Sequence, residues 1–123
     1  MIIADTSIWI EFLKGRNSDV FDMLSLYLKR REVVGISAVF GELLLGVKNN
    51  REAKIIQDFW DNLPKVNEHG LFINAGKLAC KHKLYTKGVG LIDAYILSAA
   101  LSNDFSLWTL DKKLNKVADE ISF

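Results

Sequence analysis

The first four residues, Met1-Ile2-Ile3-Ala4, are apolar, and Ile8, Trp9, Phe12 and Leu13 follow at helical spacing until Gly15 stops the pattern. A short buried strand that hands over at once to an amphipathic helix belongs in an α/β arrangement. The handover residue is Asp5, and in open α/β sheets ligands bind at the carboxyl ends of the strands, where such a residue stands.

The same alternation runs on along the chain. Ser18 or Asp19 is positioned to cap a helix whose stripe is Val20, Met23, Leu24, Tyr27 and Leu28, and Lys29, Arg30 and Arg31 suit its negative end. A second short strand is expected at residues 33–36, with Ser37 capping a helix over 38–47. Asn49-Asn50 breaks that helix, and another runs through Ala53, Ile56, Phe59, Trp60 and Leu63, with Pro64 beyond its end. Residues 65–67 read as a weak third strand. The spacing predicts one long helix over 71–86, with Leu71, Ala75, Leu78, Ala79 and Tyr85 facing inward, and then the punctuation of Gly88 and Gly90. A nearly all-apolar helix over 91–102, a fourth strand at 106–109, a short helix capped by Asp111 and a last strand at 121–123 complete the reading. Strands alternating with helices imply a parallel sheet covered on both faces, here within one domain over residues 1–123.

The most informative charges are those that stand alone. Asp5 is the only charge in residues 1–10, Glu42 the only one in 33–47 and Asp93 the only one in 88–101, although a quarter of the chain is charged. Asp93 lies in a helix apolar on every face, which implies burial, and a buried unpaired carboxylate costs several kcal/mol. A first-turn acid favoured by the helix dipole is the plainer account of Asp93. A solvent-facing stripe is the plainer account of Glu42, and N-capping that of Asp5 and Asp111. Yet Asp111, like Asp5, follows a probable parallel strand, and carboxylates at neighbouring strand ends repel unless a cation lies between them. An all-oxygen set of this kind suits Mg²⁺ or Mn²⁺ rather than zinc. His69 and His82 lack metal-ligand spacing and read as surface residues.

A net charge of +1 excludes a general field for polyanions, so any nucleic acid needs a local basic patch. The single cysteine, Cys80, cannot form an internal disulfide, and its apolar neighbours suggest packing. No basic leader is visible and no apolar run reaches the ~18 residues of a membrane span, so a cytoplasmic protein without membrane contact is expected.

Four stretches, Ile3-Ala4-Asp5-Thr6-Ser7-Ile8-Trp9-Ile10, Gly41-Glu42-Leu43-Leu44-Leu45-Gly46, Leu91-Ile92-Asp93-Ala94-Tyr95-Ile96 and Trp108-Thr109-Leu110-Asp111, occur in the order and at the spacing of the motifs of PIN-domain ribonucleases. The sequence resembles that family over its whole length, and within it the VapC-type toxins of toxin–antitoxin pairs. The resemblance implies a three-layer α/β/α sandwich with a central parallel sheet. It implies that Asp5, Glu42, Asp93 and Asp111 form an acidic quartet holding Mg²⁺ or Mn²⁺ for endoribonuclease chemistry. Thr6, Ser7 and Thr109 match hydroxyl positions that orient those acids. It further implies an RNA substrate, a small cognate antitoxin and a homodimer. Many relatives carry another acid two residues past the fourth and then Phe, where this chain has Lys113 and Leu114, so Asp111 is the sole acid there.

Lys14, Arg16, Lys48, Arg51, Lys112 and Lys113 fall near element ends at the same pole and are placed to hold an RNA backbone, although singly each reads more simply as a solvated charge. Core packing is the better account of Trp9 and Trp108 than base stacking. Phe59, Trp60 and Phe123 are available for an interface. Receiver domains and haloacid dehalogenase phosphatases fit poorly: Asp5 lacks an adjacent acid, Ser7 stands where the latter want a second Asp, and Pro64 follows Leu63 rather than a lysine. The remaining alternative is a catalytically inactive PIN-like protein-interaction module, against which the presence of all four acids speaks.

Overall fold

The computed structural model describes residues 1–121. Two strands, β1 (Ile2–Ala4) and β2 (Ser106–Trp108), pair in parallel with Ile3 opposite Leu107 and Ala4 opposite Trp108. Among the described residues seven α-helices surround them: α1 (Thr6–Lys14), α2 (Ser18–Lys29), α3 (Ser37–Leu45), α4 (Asn50–Asn62), α5 (Leu71–Lys81), α6 (Leu91–Asn103) and α7 (Lys112–Ile121). The parallel sheet and the α/β architecture agree with the sequence reading.

Two expected strands shrink to single bridges. Ile2 pairs with Val33 and Gly35 with Lys65, both in parallel. They still extend the sheet, through Val34 N–H donating to the Ile2 carbonyl (3.0 Å) and Val66 N–H donating to the Gly35 carbonyl (3.0 Å). Pro64 has no N–H to continue a ladder and serves only as an acceptor, from Gly35 N–H at 2.7 Å. Gly35 lets the Trp60 ring close on the backbone, since a Cβ there would stand 3.2 Å from it. The last expected strand is also absent at its start: Ile121 ends α7, and Ser122 and Phe123 lie outside the described residues.

Three boundaries depart from expectation for local reasons. Asn17, rather than Ser18 or Asp19, caps α2 by accepting from Val20 N–H at 3.2 Å. The long helix expected over 71–86 stops at Lys81, because Lys83 turns left-handed (φ 51°) and a 3-10 turn, Leu84–Lys87, follows. Tyr85, expected to face inward, is 80% exposed, and Cys80, expected to pack, is exposed as well. Ser37 does not cap its own helix. Its N–H (3.1 Å) and hydroxyl (2.5 Å) donate to the carboxylate of Glu68, which caps α3 from outside. The same carboxylate accepts from the Tyr95 hydroxyl at 2.5 Å, so one side chain ties the start of α3 to α6. Burial, with the Glu68 carboxylate beside it, pushes the Tyr95 phenol pKa up and keeps its proton in place.

The core lies between sheet and helices. From α6 alone Ala94, Tyr95, Ile96, Leu97, Ser98, Ala99 and Ala100 are all buried, as a helix apolar on every face requires. Trp9 is 1% exposed and meets Phe40 and Phe59 edge-on, both with centroids 5.2 Å away. Phe59 and Trp60 are partly buried against this core. No helix among the described residues is long and apolar enough to cross a membrane.

The Glu68 junction is open to test. Replacing Glu68 by Ala removes the acceptor shared by the part-buried Tyr95 hydroxyl and Ser37 and should cost about 1–3 kcal/mol in urea unfolding. The double variant that also carries Tyr95→Phe should cost less than the sum of the two single changes, because the Glu68–Tyr95 bond is lost only once, while Ser37 lacks its acceptor in both variants without Glu68.

Candidate active site

The parallel sheet brings the carboxyl ends of β1 and β2 side by side, so Asp5 N–H donates to the Trp108 carbonyl at 3.0 Å. Asp5 is 5% exposed and caps α1, its Oδ1 accepting from Ile8 N–H at 3.3 Å. The capping explanation of this residue is therefore correct, but it accounts for only part of its environment. Ser7 donates its hydroxyl to Asp5 Oδ1 (2.5 Å), and Thr109 donates to Asp5 Oδ2. Each hydroxyl is itself aimed by a backbone amide from the exit of β2: Leu110 N–H donates to Ser7 Oγ (3.0 Å) and Asp111 N–H to Thr109 Oγ1 (3.0 Å). Both carboxylate oxygens are thus held by groups that are themselves held, which removes rotational freedom from the side chain.

Glu42, on α3, is exposed and accepts from the Thr6 hydroxyl at 2.6 Å. Asp111 accepts through Oδ1 from Lys113 N–H (2.9 Å) and Leu114 N–H (3.2 Å), so it does cap α7. Asp93 stands in the first turn of α6, half-buried, with a backbone hydrogen bond at Gly90. All three hydroxyl residues singled out in the sequence touch an acid, and three of the four acids lie at helix N-termini.

Asp93 reports the proximity of the set. Its pKa is raised above the ordinary 3.8, first by desolvation and then by the charges of Asp111, Asp5 and Glu42, with the bond at Gly90 opposing the rise. Four acids scattered over the chain thus act on one another. Among the described residues the ion pairs are Arg16–Glu11, Lys54–Asp58 and Lys87–Glu120, so no lysine or arginine neutralises the four. Neither do three acidic, imidazole or thiol side chains among those residues come close enough to cage a metal directly. Mg²⁺ is commonly held by one or two carboxylates and several waters, so the donor set fits it without a preformed cage.

Of the basic residues considered for RNA, Arg16 is engaged by Glu11 at 2.6 Å. Lys113 lies against Gly88, where a Cβ would meet its Cδ at 2.8 Å. Lys14 and Glu42 line an open groove of about 280 Å³ whose walls include Ile10, Leu13, Val47 and Ile56. Ile55, in the wall of that groove, also lines a second cavity of about 460 Å³ bordered by Leu28, Val33, Phe59 and Leu63. Neither groove nor Glu68 was foreseen, and Glu68 sits in a polar stretch, Lys65-Val66-Asn67-Glu68-His69, where no periodicity marks it.

The PIN domain family model matches residues 2–120. The chain belongs to the PIN domain family. Within it, the protein is 32% identical over 124 residues to "Ribonuclease VapC32" of Mycobacterium tuberculosis, in strains CDC 1551 / Oshkosh and ATCC 25618 / H37Rv. That alignment covers 98% of this chain and 92% of each relative. Among solved structures, FitAcB from Neisseria gonorrhoeae superposes with a TM-score of 0.67 at 20% identity, over 97% of this PIN chain and 94% of the other. At that identity the likeness speaks for the fold, and it agrees with the α/β/α sandwich expected of a PIN domain.

The electrostatics of Asp93 give a pH test in the protein freed of divalent cations. Because its folded pKa is raised, the folded state holds a proton that the unfolded state has lost between pH 3.8 and the raised value. Stability from this residue therefore falls as pH rises through that window, and the full penalty is present above it. Asp93→Asn should remove this component, leaving a variant more stable than the parent at neutral pH and a smaller difference in acid, as read by thermal unfolding across pH.

Proposed function

We propose that the protein is a divalent-metal-dependent endoribonuclease, the toxin member of a toxin–antitoxin pair, acting as a single PIN domain over residues 1–123. The observation that carries this reading is the clamped pair of carboxylates, Asp5 held by Ser7 and Thr109 and Glu42 held by Thr6, with no lysine or arginine partner among the described residues. The Asp93 pKa, raised first by burial and then by the charges of Asp111, Asp5 and Glu42, supports it. Membership of the PIN family and 32% identity to a protein named as a ribonuclease give the chemistry its class.

In this reading Asp5, Asp93, Glu42 and Asp111 hold Mg²⁺ or Mn²⁺, directly or through water. The ion, when bound, supplies Lewis-acid charge beside the scissile phosphodiester. The chain supplies order. Ser7 and Thr109 clamp the two oxygens of Asp5, Thr6 orients Glu42, and the first turn of α7 fixes Asp111. Such positioning lowers the reorganisation needed when charge develops on the substrate. The N-termini of α1, α6 and α7 converge on the site and add partial positive charge that tolerates both carboxylates and phosphate.

The groove walled by Ile10, Leu13, Val47 and Ile56, with Glu42 also in its lining, is suited to an apolar segment of a small antitoxin, which would then lie beside one of the acids. Self-association as a homodimer and a cytoplasmic location complete the proposal. A catalytically inactive binding module is disfavoured because the hydroxyl contacts to Asp5 and Glu42 orient carboxylates that a mere scaffold has no reason to hold.

Asp5→Asn and Asp93→Asn should each abolish Mn²⁺-dependent cleavage of RNA while the circular dichroism spectrum stays that of the parent. The parent should also gain thermal stability with Mn²⁺, and Asp93→Asn should lose most of that gain. Undiminished cleavage by both variants would remove these residues from the reaction.

A further inference from the structure

A polyanion needs a local basic surface on a chain whose net charge is only +1. One such surface lies where helical periodicity had suggested a continuous helix. Between Glu68 and Asp93 the only charged residues are Lys77, Lys81, Lys83 and Lys87, with no acid among them. The last two flank Tyr85 in the 3-10 turn that ends shortly before α6 and its Asp93.

The turn is built to display that ring. Leu84 (0% exposed) and Val89 (2% exposed) anchor it in the core on either side. Lys83 adopts a left-handed backbone conformation, its carbonyl accepts from both the amide (3.0 Å) and the hydroxyl (2.7 Å) of Thr86, and Val89 N–H closes back on the Leu84 carbonyl at 3.1 Å. Tyr85 projects from this fixed base with 80% of its surface in solvent. Lys113, two residues past Asp111, folds its side chain over Gly88, into space that any Cβ would obstruct. A cation from the first turn of α7 is thereby added to those of the turn, although Lys87 is shared with Glu120 at 3.2 Å.

We propose that the Tyr85 turn is a single-stranded RNA subsite beside the acidic pole, with the Tyr85 ring stacking on a base and Lys83, Lys87 and Lys113 holding the adjoining phosphates. An exposed aromatic face among lysines is the combination that binds single strands, stacking being tolerant of base identity and the cations following the backbone. Lys113, two residues past Asp111, lies against Gly88 at the end of the turn, and the Gly90 backbone bonds Asp93, so a strand held there leads its next phosphates toward the acids. Substrate choice would then favour unpaired loops and ends, because a base inside a duplex offers no free face.

The proposal rests on the ribonuclease reading, and the experiment separates the two. Binding of a labelled single-stranded RNA of about eight nucleotides is followed by fluorescence anisotropy in full-length chains carrying Asp93→Asn, which keeps the RNA intact, and cleavage is followed in the same chains with Asp93 restored. Tyr85→Ala should weaken binding about tenfold and raise KM more than it lowers kcat, whereas Tyr85→Trp should bind like the parent with its indole fluorescence quenched by RNA. Lys83→Ala and Lys113→Ala should each lower the salt dependence of binding by about one phosphate contact. The exposure of Tyr85 leaves the fold of these variants intact. Affinity within twofold of the parent for Tyr85→Ala, in a chain that cleaves RNA, overturns the subsite alone. A parent that neither binds nor cleaves RNA overturns both readings. Loss of self-association in Tyr85→Ala with RNA affinity unchanged would assign the ring to a protein contact and likewise overturn the subsite.

Discussion

Mutual repulsion among four carboxylates is the constraint that organises this protein. Asp5, Glu42, Asp93 and Asp111 come from four separate elements, and the pKa of Asp93 is raised first by burial and then by the charges of the other three. The fold limits that cost by ending helices there: Asp5 and Asp111 each accept a backbone amide as an N-cap, and Asp93 sits in the first turn of α6. Capping and site-building are thus one arrangement seen from two sides. A carboxylate that satisfies a helix end is also held in a fixed direction, and the partial charge of that end offsets its neighbours.

Around that pole the polar network grows from the two ends of the chain. Ser7 and Thr109, 102 positions apart in sequence, are both spent on Asp5, and each is aimed by an amide from the exit of β2. The sheet itself is minimal, two regular strands flanked by single bridges, yet it suffices because α6 fills the space beneath it with apolar side chains. Glu68 then fastens α3, which carries Glu42, to α6, which carries Asp93. The core supplies stability, and a few side chains fix how the acid-bearing helices stand relative to one another.

Much of this was legible in the residues. Lone acids in apolar windows drew attention to Asp5, Glu42 and Asp93, and the handover from β1 to α1 put Asp5 at a strand end. What stayed hidden has physical causes. Glu68 lies 31 residues after Ser37 and 27 before Tyr95, so no local spacing marks its role. The break after Lys81 depends on Lys83 adopting a conformation usually left to glycine, and apolar periodicity carried the expected helix through it and turned Tyr85 the wrong way. The third strand, Lys65-Val66-Asn67, has one apolar residue and follows Pro64, which has no N–H to donate, and the second is interrupted by Gly35, which has no side chain to pack.

The clamp on Asp5 has a consequence during synthesis. Its partner Thr109 is 104 residues downstream, and β1 finds its strand partner only at Ser106–Trp108. A nascent chain that has emerged through α5 already carries Asp5 and Glu42 with their partners Ser7 and Thr6, but neither β2 nor the Thr109 hydroxyl that holds the second oxygen of Asp5. The full set of contacts around Asp5 is therefore completed only once nearly all of the described chain has been made, an order written into the connectivity.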